Sequence, residues 1–128
     1  MTETIFATGN LLIMPFWLSM ILFPGQAWTA RMLRIPWICG VLAVLYGFLV
    51  IPAIPELLPL LLKPELPAIQ QLLSTPLGAT AGWLHFLCFD LFVGRWIWLD
   101  SLERQGSRLH LRLSLALTLM FGPLGLLT

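Results

Sequence analysis

Chemistry in this chain is concentrated in one apolar run, Ala81 to Asp100, where His85, Asp90 and Arg95 follow one another at five-residue intervals. In a helix that interval is about 7–8 Å of rise and about 140° of rotation. Asp90 and Arg95 therefore do not form the usual ion pair one turn apart. His85 and Arg95 lie closer in rotation, about 80° apart. A carboxylate and an imidazole held at depth in an apolar setting would take and return protons, which is general acid–base chemistry. Inserting one charged side chain into a bilayer costs at least ~2.5–3.5 kcal/mol, so each of the three needs a partner or a protein-facing position. A structural role fits the same residues. An Asp–Arg pair can hold helices together, and His85 can hydrogen-bond a neighbouring carbonyl. Arg95 has two routes: around the helix past Gly94 toward Asp90, or outward to an interface beside Trp98 and Asp100.

The elements that would position these residues follow from composition. The chain has 128 residues, 59% hydrophobic and 10% charged, with a mean hydropathy of +0.91. Soluble domains average roughly 45–50% apolar and about 25% charged. A soluble domain of this size has too much surface to hide such a composition, so lipid is the solvent that fits. A span needs about 20 mostly apolar residues. Four segments qualify, at about residues 4–23, 36–54, 79–99 and 109–127. The first contains Pro15 and closes at Pro24-Gly25, and the last ends in Phe121-Gly122-Pro123-Leu124-Gly125. The expected fold is all-α: a polytopic membrane protein, one four-transmembrane-helix bundle over residues 1–128.

Residues 56–78, between the second and third spans, carry Pro59, Pro64, Pro67 and Pro76 among many leucines. Prolines at this density prevent one continuous helix. An interfacial segment with a short amphipathic helix near Pro67–Ser74 is expected, and a partial re-entrant loop fits the same pattern. The first loop holds Arg31 and Arg34, and the third holds Arg104, Arg108 and Arg112, against Lys63 alone on the opposite side. This bias places the two arginine-bearing loops in the cytoplasm or stroma and both termini on the other side. The first residues carry Glu3 and no Lys or Arg, so the first apolar run reads as a retained span rather than a signal peptide, with no transit peptide, as in a bacterial or organelle-encoded protein.

Several function classes fall away. A net charge of +1 leaves no basic stripe for nucleic acid. Cys39 and Cys88 sit in apolar runs without metal spacing and read as buried packing residues. No metal site, soluble-cofactor site, phosphate loop or zinc-protease motif is present. Trp17, Trp28, Trp37, Trp96 and Trp98 lie near span ends, where indoles favour the interface.

The run Trp83-Leu84-His85-Phe86-Leu87-Cys88-Phe89-Asp90-Leu91-Phe92-Val93-Gly94-Arg95-Trp96, with Leu99-Asp100-Ser101 and the later Thr118-Leu119-Met120-Phe121-Gly122-Pro123-Leu124-Gly125, resembles the abscisic-acid-deficient-4-like family. These are neoxanthin synthase-like membrane proteins of plants, algae and cyanobacteria. The resemblance implies a role in carotenoid metabolism at a plastid, thylakoid or bacterial inner membrane. In plants it implies conversion of violaxanthin to neoxanthin, an isomerisation that opens an epoxide, forms an allene and needs no redox cofactor. Under that reading Asp90 is the general base or acid, His85 its complement, and Arg95 the charge that keeps Asp90 ionised. Trp83, Phe86, Phe89 and Trp96 would flank a carotenoid end ring. Two other readings stand beside it: a non-catalytic carotenoid-binding or assembly protein of photosynthetic membranes, and a proton or small-solute pathway. Membrane lipid and a carotenoid are the expected partners, together with a second copy or a membrane-complex subunit.

Overall fold

The computed structural model describes residues 1–128, and all its regular structure is helical. In chain order the helices are α1 (Thr2–Leu22), α2 (Ala27–Met32), α3 (Trp37–Val50), α4 (Ile54–Leu62), α5 (Leu66–Ser74), α6 (Pro76–Glu103) and α7 (Arg108–Phe121). A short 3₁₀ turn, Ile51–Ala53, joins α3 to α4, and a 3₁₀ arm, Gly122–Leu127, follows α7. Four helical stretches are long and apolar enough to cross a membrane: Thr2–Leu22, Trp37–Leu62, Pro76–Glu103 and Arg108–Leu127. The molecule is an all-α polytopic bundle.

Local sequence explains where the helices start and stop. Pro52 and Pro55 each fall in the first turn of a short helical segment, where a missing N–H costs nothing. The second apolar stretch therefore runs on to Leu62, eight residues past the end expected at Ile54. The 3₁₀ turn carries the chain from α3 into α4, because its tighter hydrogen bonds keep the backbone paired. α5 opens on Pro67 within its first turn. α6 has the clearest start of any helix here. The Thr75 hydroxyl accepts a hydrogen bond from the Gly78 N–H at 3.0 Å, and Pro76 occupies the first helical turn.

α6 is the central helix, with α1, α3 and α7 all packed against it. Lipid supplies no hydrophobic drive for helices to associate, so close packing and hydrogen bonds must hold them. Glycines make the α1–α6 approach close. A Cβ on Gly94 would stand 2.5 Å from the Trp17 ring, and one on Gly9 would stand 2.6 Å from a Leu84 methyl. Trp17 and Leu84 are both fully buried. α3 joins on another face of α6, where the Cys88 thiol donates to the Cys39 carbonyl at 3.3 Å.

The two arginine-bearing loops meet at one end of the bundle. The Trp98 indole donates to the Pro24 carbonyl at 3.0 Å, and Gly25 lies against the Arg108 guanidinium. Arg112 donates to the Ile21 carbonyl at 2.9 Å, and Thr29 donates to the Phe23 carbonyl at 2.8 Å. These contacts satisfy carbonyls that the end of α1 leaves without helical partners.

The last apolar segment does not run as one straight helix. α7 stops at Phe121, Gly122 takes φ +49°, and the 3₁₀ arm runs back along α7. Gly125 packs on Thr118 and the Ser114 carbonyl, while the Thr128 hydroxyl donates to Ser114 Oγ at 2.6 Å. His110, near the start of α7, meets the Thr128 carbonyl at 2.7 Å. Residue 128 thus sits at the arginine-bearing end, whereas both termini were expected at the other. The reason is the Gly-Pro pair: only glycine takes that φ without strain, and proline cannot extend α7.

The packing of Trp17 on Gly94 gives a direct test. Gly94→Val should lower the thermal unfolding midpoint in detergent, with overpacking costing about 1–3 kcal/mol. A midpoint equal to or above the parent's would show that this contact does not set the α1–α6 distance.

Candidate functional site: an intramembrane carboxylate at a helix reversal

Asp90 lies halfway along α6 and faces the reversal at Gly122. A Cβ added to Gly122 would stand 2.8 Å from Asp90 Oδ1 and 3.5 Å from Oδ2. Glycine is therefore required twice at this point, for the positive φ and for the approach of the carboxylate. The two motif runs that lie far apart in sequence converge here, α6 supplying the acid and the α7 reversal supplying the wall in front of it.

Together they form a cleft of about 270 Å³ lined by Trp83, Phe86, Leu87 and Asp90 on one side. Leu119 to Pro123 line the other. Trp83 is held from behind. Its indole donates to Asn10 Oδ1 at 3.0 Å, and its ring stacks on Phe6 with centroids 5.6 Å apart. Asn10, an amide inside the first apolar run, thus orients a wall of the cleft from α1. Apolar surface dominates the cleft, with one carboxyl group as its ionisable member.

The structure brings three of the seven expected site residues together: Asp90, Trp83 and Phe86. It places the other four elsewhere. Arg95 does not reach Asp90. Its Nε donates to the Leu33 carbonyl at 2.8 Å, and a terminal nitrogen donates to the Arg34 carbonyl at 2.9 Å. The guanidinium fastens the chain between α2 and α3 to α6, where Leu33 would otherwise leave a carbonyl unpaired as α2 ends. The only ion pair in the protein is Arg104–Asp100, one turn apart on the surface, so Asp90 has no cationic partner. His85 points to another side of α6. It is exposed, with its ring 4.8 Å from Phe89 and 6.0 Å from Tyr46 of α3 by centroid. Phe89 and Trp96 are more than half exposed on the lipid-facing surface. Trp96 borders a separate cavity near the arginine end, with Asp100, His110 and Ser114.

Asn10 and Gly122 were not among the residues expected in the site. Asn10 had a signal, an uncharged polar side chain in the middle of an apolar run. Gly122 stood in the Phe-Gly-Pro motif, but nothing in linear spacing ties it to Asp90. No three His, Cys, Asp or Glu side chains converge in a metal-binding arrangement. The cleft's own chemistry is that of one carboxyl group with aromatic and aliphatic walls. It can exchange a proton with an apolar ligand or accept a hydrogen bond from it.

Fold and site together define a polytopic α-helical membrane protein with a carboxyl group inside the bundle. The sequence matches the description "ABA DEFICIENT 4-like" over residues 4–128, and the chain belongs to that family. It is similar to "Protein ABA DEFICIENT 4, chloroplastic" of Arabidopsis thaliana, with 31% identity over 134 residues. That alignment covers 98% of this chain and 59% of the relative, so the chain spans about three-fifths of the relative's length. No solved structure matches it.

Gly122→Ala puts a methyl group on the Asp90 carboxylate and forces alanine to a left-handed φ. A loss of about 1 kcal/mol or more in stability is expected from the backbone alone. Denaturant titration in detergent reads it, and an unchanged midpoint would mean that α7 does not reverse against Asp90.

Proposed function

We propose that this chain acts in carotenoid metabolism, as an isomerase of the epoxy end group of a xanthophyll. The observation that carries the reading is the Asp90 carboxyl facing Gly122 in an apolar cleft, with family membership behind it. The similar Arabidopsis thaliana protein carries the name "Protein ABA DEFICIENT 4, chloroplastic". An epoxy-xanthophyll is a long apolar rod with a small polar ring at each end. A cleft of about 270 Å³ is below the usual 300–1,000 Å³ of drug-sized ligand pockets, so it suits one ring and not the whole rod. The polyene would leave the cleft past Phe86 and lie in lipid, against Phe89 of α6.

The reaction balances without a cofactor. A base removes the proton from the vinylic carbon beside the epoxide. The C–H electron pair becomes the second double bond of the allene. The adjoining epoxide C–O bond breaks, and its oxygen keeps that pair and takes up a proton as hydroxyl. One hydrogen leaves carbon, one reaches oxygen, and no electrons are lost. Asp90 is the group placed to take the proton. With His85 outside the cleft, Asp90 also returns it, so the carboxyl group ends as it began. Trp83 and Phe86 hold the ring, and Asn10 holds Trp83. Arg95 and His85 act outside the chemistry, the first as a clamp on the chain between α2 and α3. The membrane would be a thylakoid or other plastid membrane, or a bacterial inner membrane. A second copy or a membrane-complex subunit is a further expected partner.

A carotenoid-binding role without turnover has one observation in its favour. Phe86, Phe89 and Trp96 expose aromatic surface on the outside of α6, where a polyene would adsorb without entering the cleft. Pigment analysis separates the two. In cells that accumulate violaxanthin and express this chain, neoxanthin should appear with the parent sequence and be lost with Asp90→Asn at equal membrane abundance. Neoxanthin made equally well by Asp90→Asn would remove Asp90 from the chemistry. No product from either, with xanthophyll co-purifying on both, would favour the binding role.

A further inference from the structure

The fourth apolar segment has the length and composition of a complete span, 20 residues from Arg108 to Leu127, yet its path is that of a hairpin. From the level of Arg112, which bonds the last carbonyls of α1, α7 advances only nine residues to Phe121. At 1.5 Å per residue that is about 14 Å, roughly half of a hydrocarbon core about 30 Å thick. The six-residue 3₁₀ arm then returns about 12 Å at 2 Å per residue. Eight residues of α-helix also measure about 12 Å, which brings residue 128 back to the level of Ser114. The hydrogen bond between Thr128 and Ser114 shows that it does arrive there.

We infer that this segment is a re-entrant hairpin, entering and leaving the bilayer at the arginine-bearing face, with its tip at Asp90. The chain then crosses the membrane three times, and residues 3 and 128 lie on opposite sides. Lipid excludes irregular backbone unless protein covers it or its polar groups are otherwise satisfied. The hairpin meets that condition. Gly122 and Gly125 are buried, Pro123 at the exposed tip has no N–H to satisfy, and 3₁₀ hydrogen bonds close the arm. Its outward side chains suit lipid: Met120, Phe121, Leu124, Leu126 and Leu127 are all exposed. A hairpin that fills only half the depth also explains the cleft. Trp83 and Phe86 lie beyond the tip, toward the other face, where a full fourth helix would have covered them. A ligand dissolved in that leaflet would reach Asp90 sideways, past the hairpin tip.

The hairpin is independent of any catalytic role of Asp90, and membrane topology tests it. Variants with one added cysteine, Glu3→Cys, Glu103→Cys and Thr128→Cys, in sealed vesicles of uniform orientation, would be treated with a membrane-impermeant maleimide. Cys39 and Cys88, inside the bundle, serve as the unlabelled background in the parent. Thr128→Cys should share the accessibility of Glu103→Cys and be opposite to Glu3→Cys. Thr128→Cys grouping with Glu3→Cys would establish four complete crossings and overturn the hairpin. The same pair of outcomes can be read from a reporter fused after Thr128, which does not depend on the cysteine variants folding.

Discussion

Backbone polar groups in lipid have no water to turn to, and each break in a helix must therefore be satisfied by the protein itself. This constraint organises the bundle. The end of α1 is met by Arg112, Trp98 and Thr29, which together cover the carbonyls from Ile21 to Pro24. The end of α2 is met by Arg95 at Leu33 and Arg34. The join between α3 and α4 is closed by 3₁₀ hydrogen bonds, and the reversal after α7 is accommodated by buried glycines and a proline. The arginines of α6 and α7 are thus structural clamps at one end of the molecule. Asp90, lying deeper, keeps its carboxyl group free of them.

α6 can host a site because of how its faces are divided. One face takes α1, where Gly94 and Leu84 meet Trp17 and Gly9. A second takes α3 through Cys88 and Cys39. A third takes the α7 reversal, where Asp90 meets Gly122. The remaining strip, with His85, Phe89 and Trp96, faces outward. A carboxyl group on the first two faces would be sealed into close packing, and one on the outward strip would face lipid. On the third face it borders a cleft, because the helix opposite ends where Asp90 begins. The same break that threatens the backbone opens the cleft beside Asp90.

Asn10 extends the site into α1. Its amide accepts from Trp83 across the helix interface, so the cleft wall depends on α1 even though α1 contributes no lining residue. Polar contacts between membrane helices are individually modest, on the order of 0.6 to 2 kcal/mol. The value of this one lies in orientation: an indole bonded at its nitrogen and stacked on Phe6 has one ring position.

The sequence by itself determined that lipid is the solvent, that the fold is all-helical and polytopic, and that α6 carries an acid at depth. Those properties are sums or intervals along the chain, and hydropathy and helix pitch convert them directly into structure. The sequence also shows that Trp83 shares Asp90's direction, because seven residues complete nearly two turns. Tertiary structure alone decided what lies in each direction. Rotation around α6 gives an azimuth for Arg95 but does not say that carbonyls, rather than Asp90, occupy it. Hydropathy over residues 109–127 counts apolar side chains and carries no sign for the direction of travel, so a hairpin and a span score alike. The reversal at Gly122 depends on a neighbouring helix that accepts it, and that neighbour, 32 residues away at Asp90, is visible only once the chain is folded.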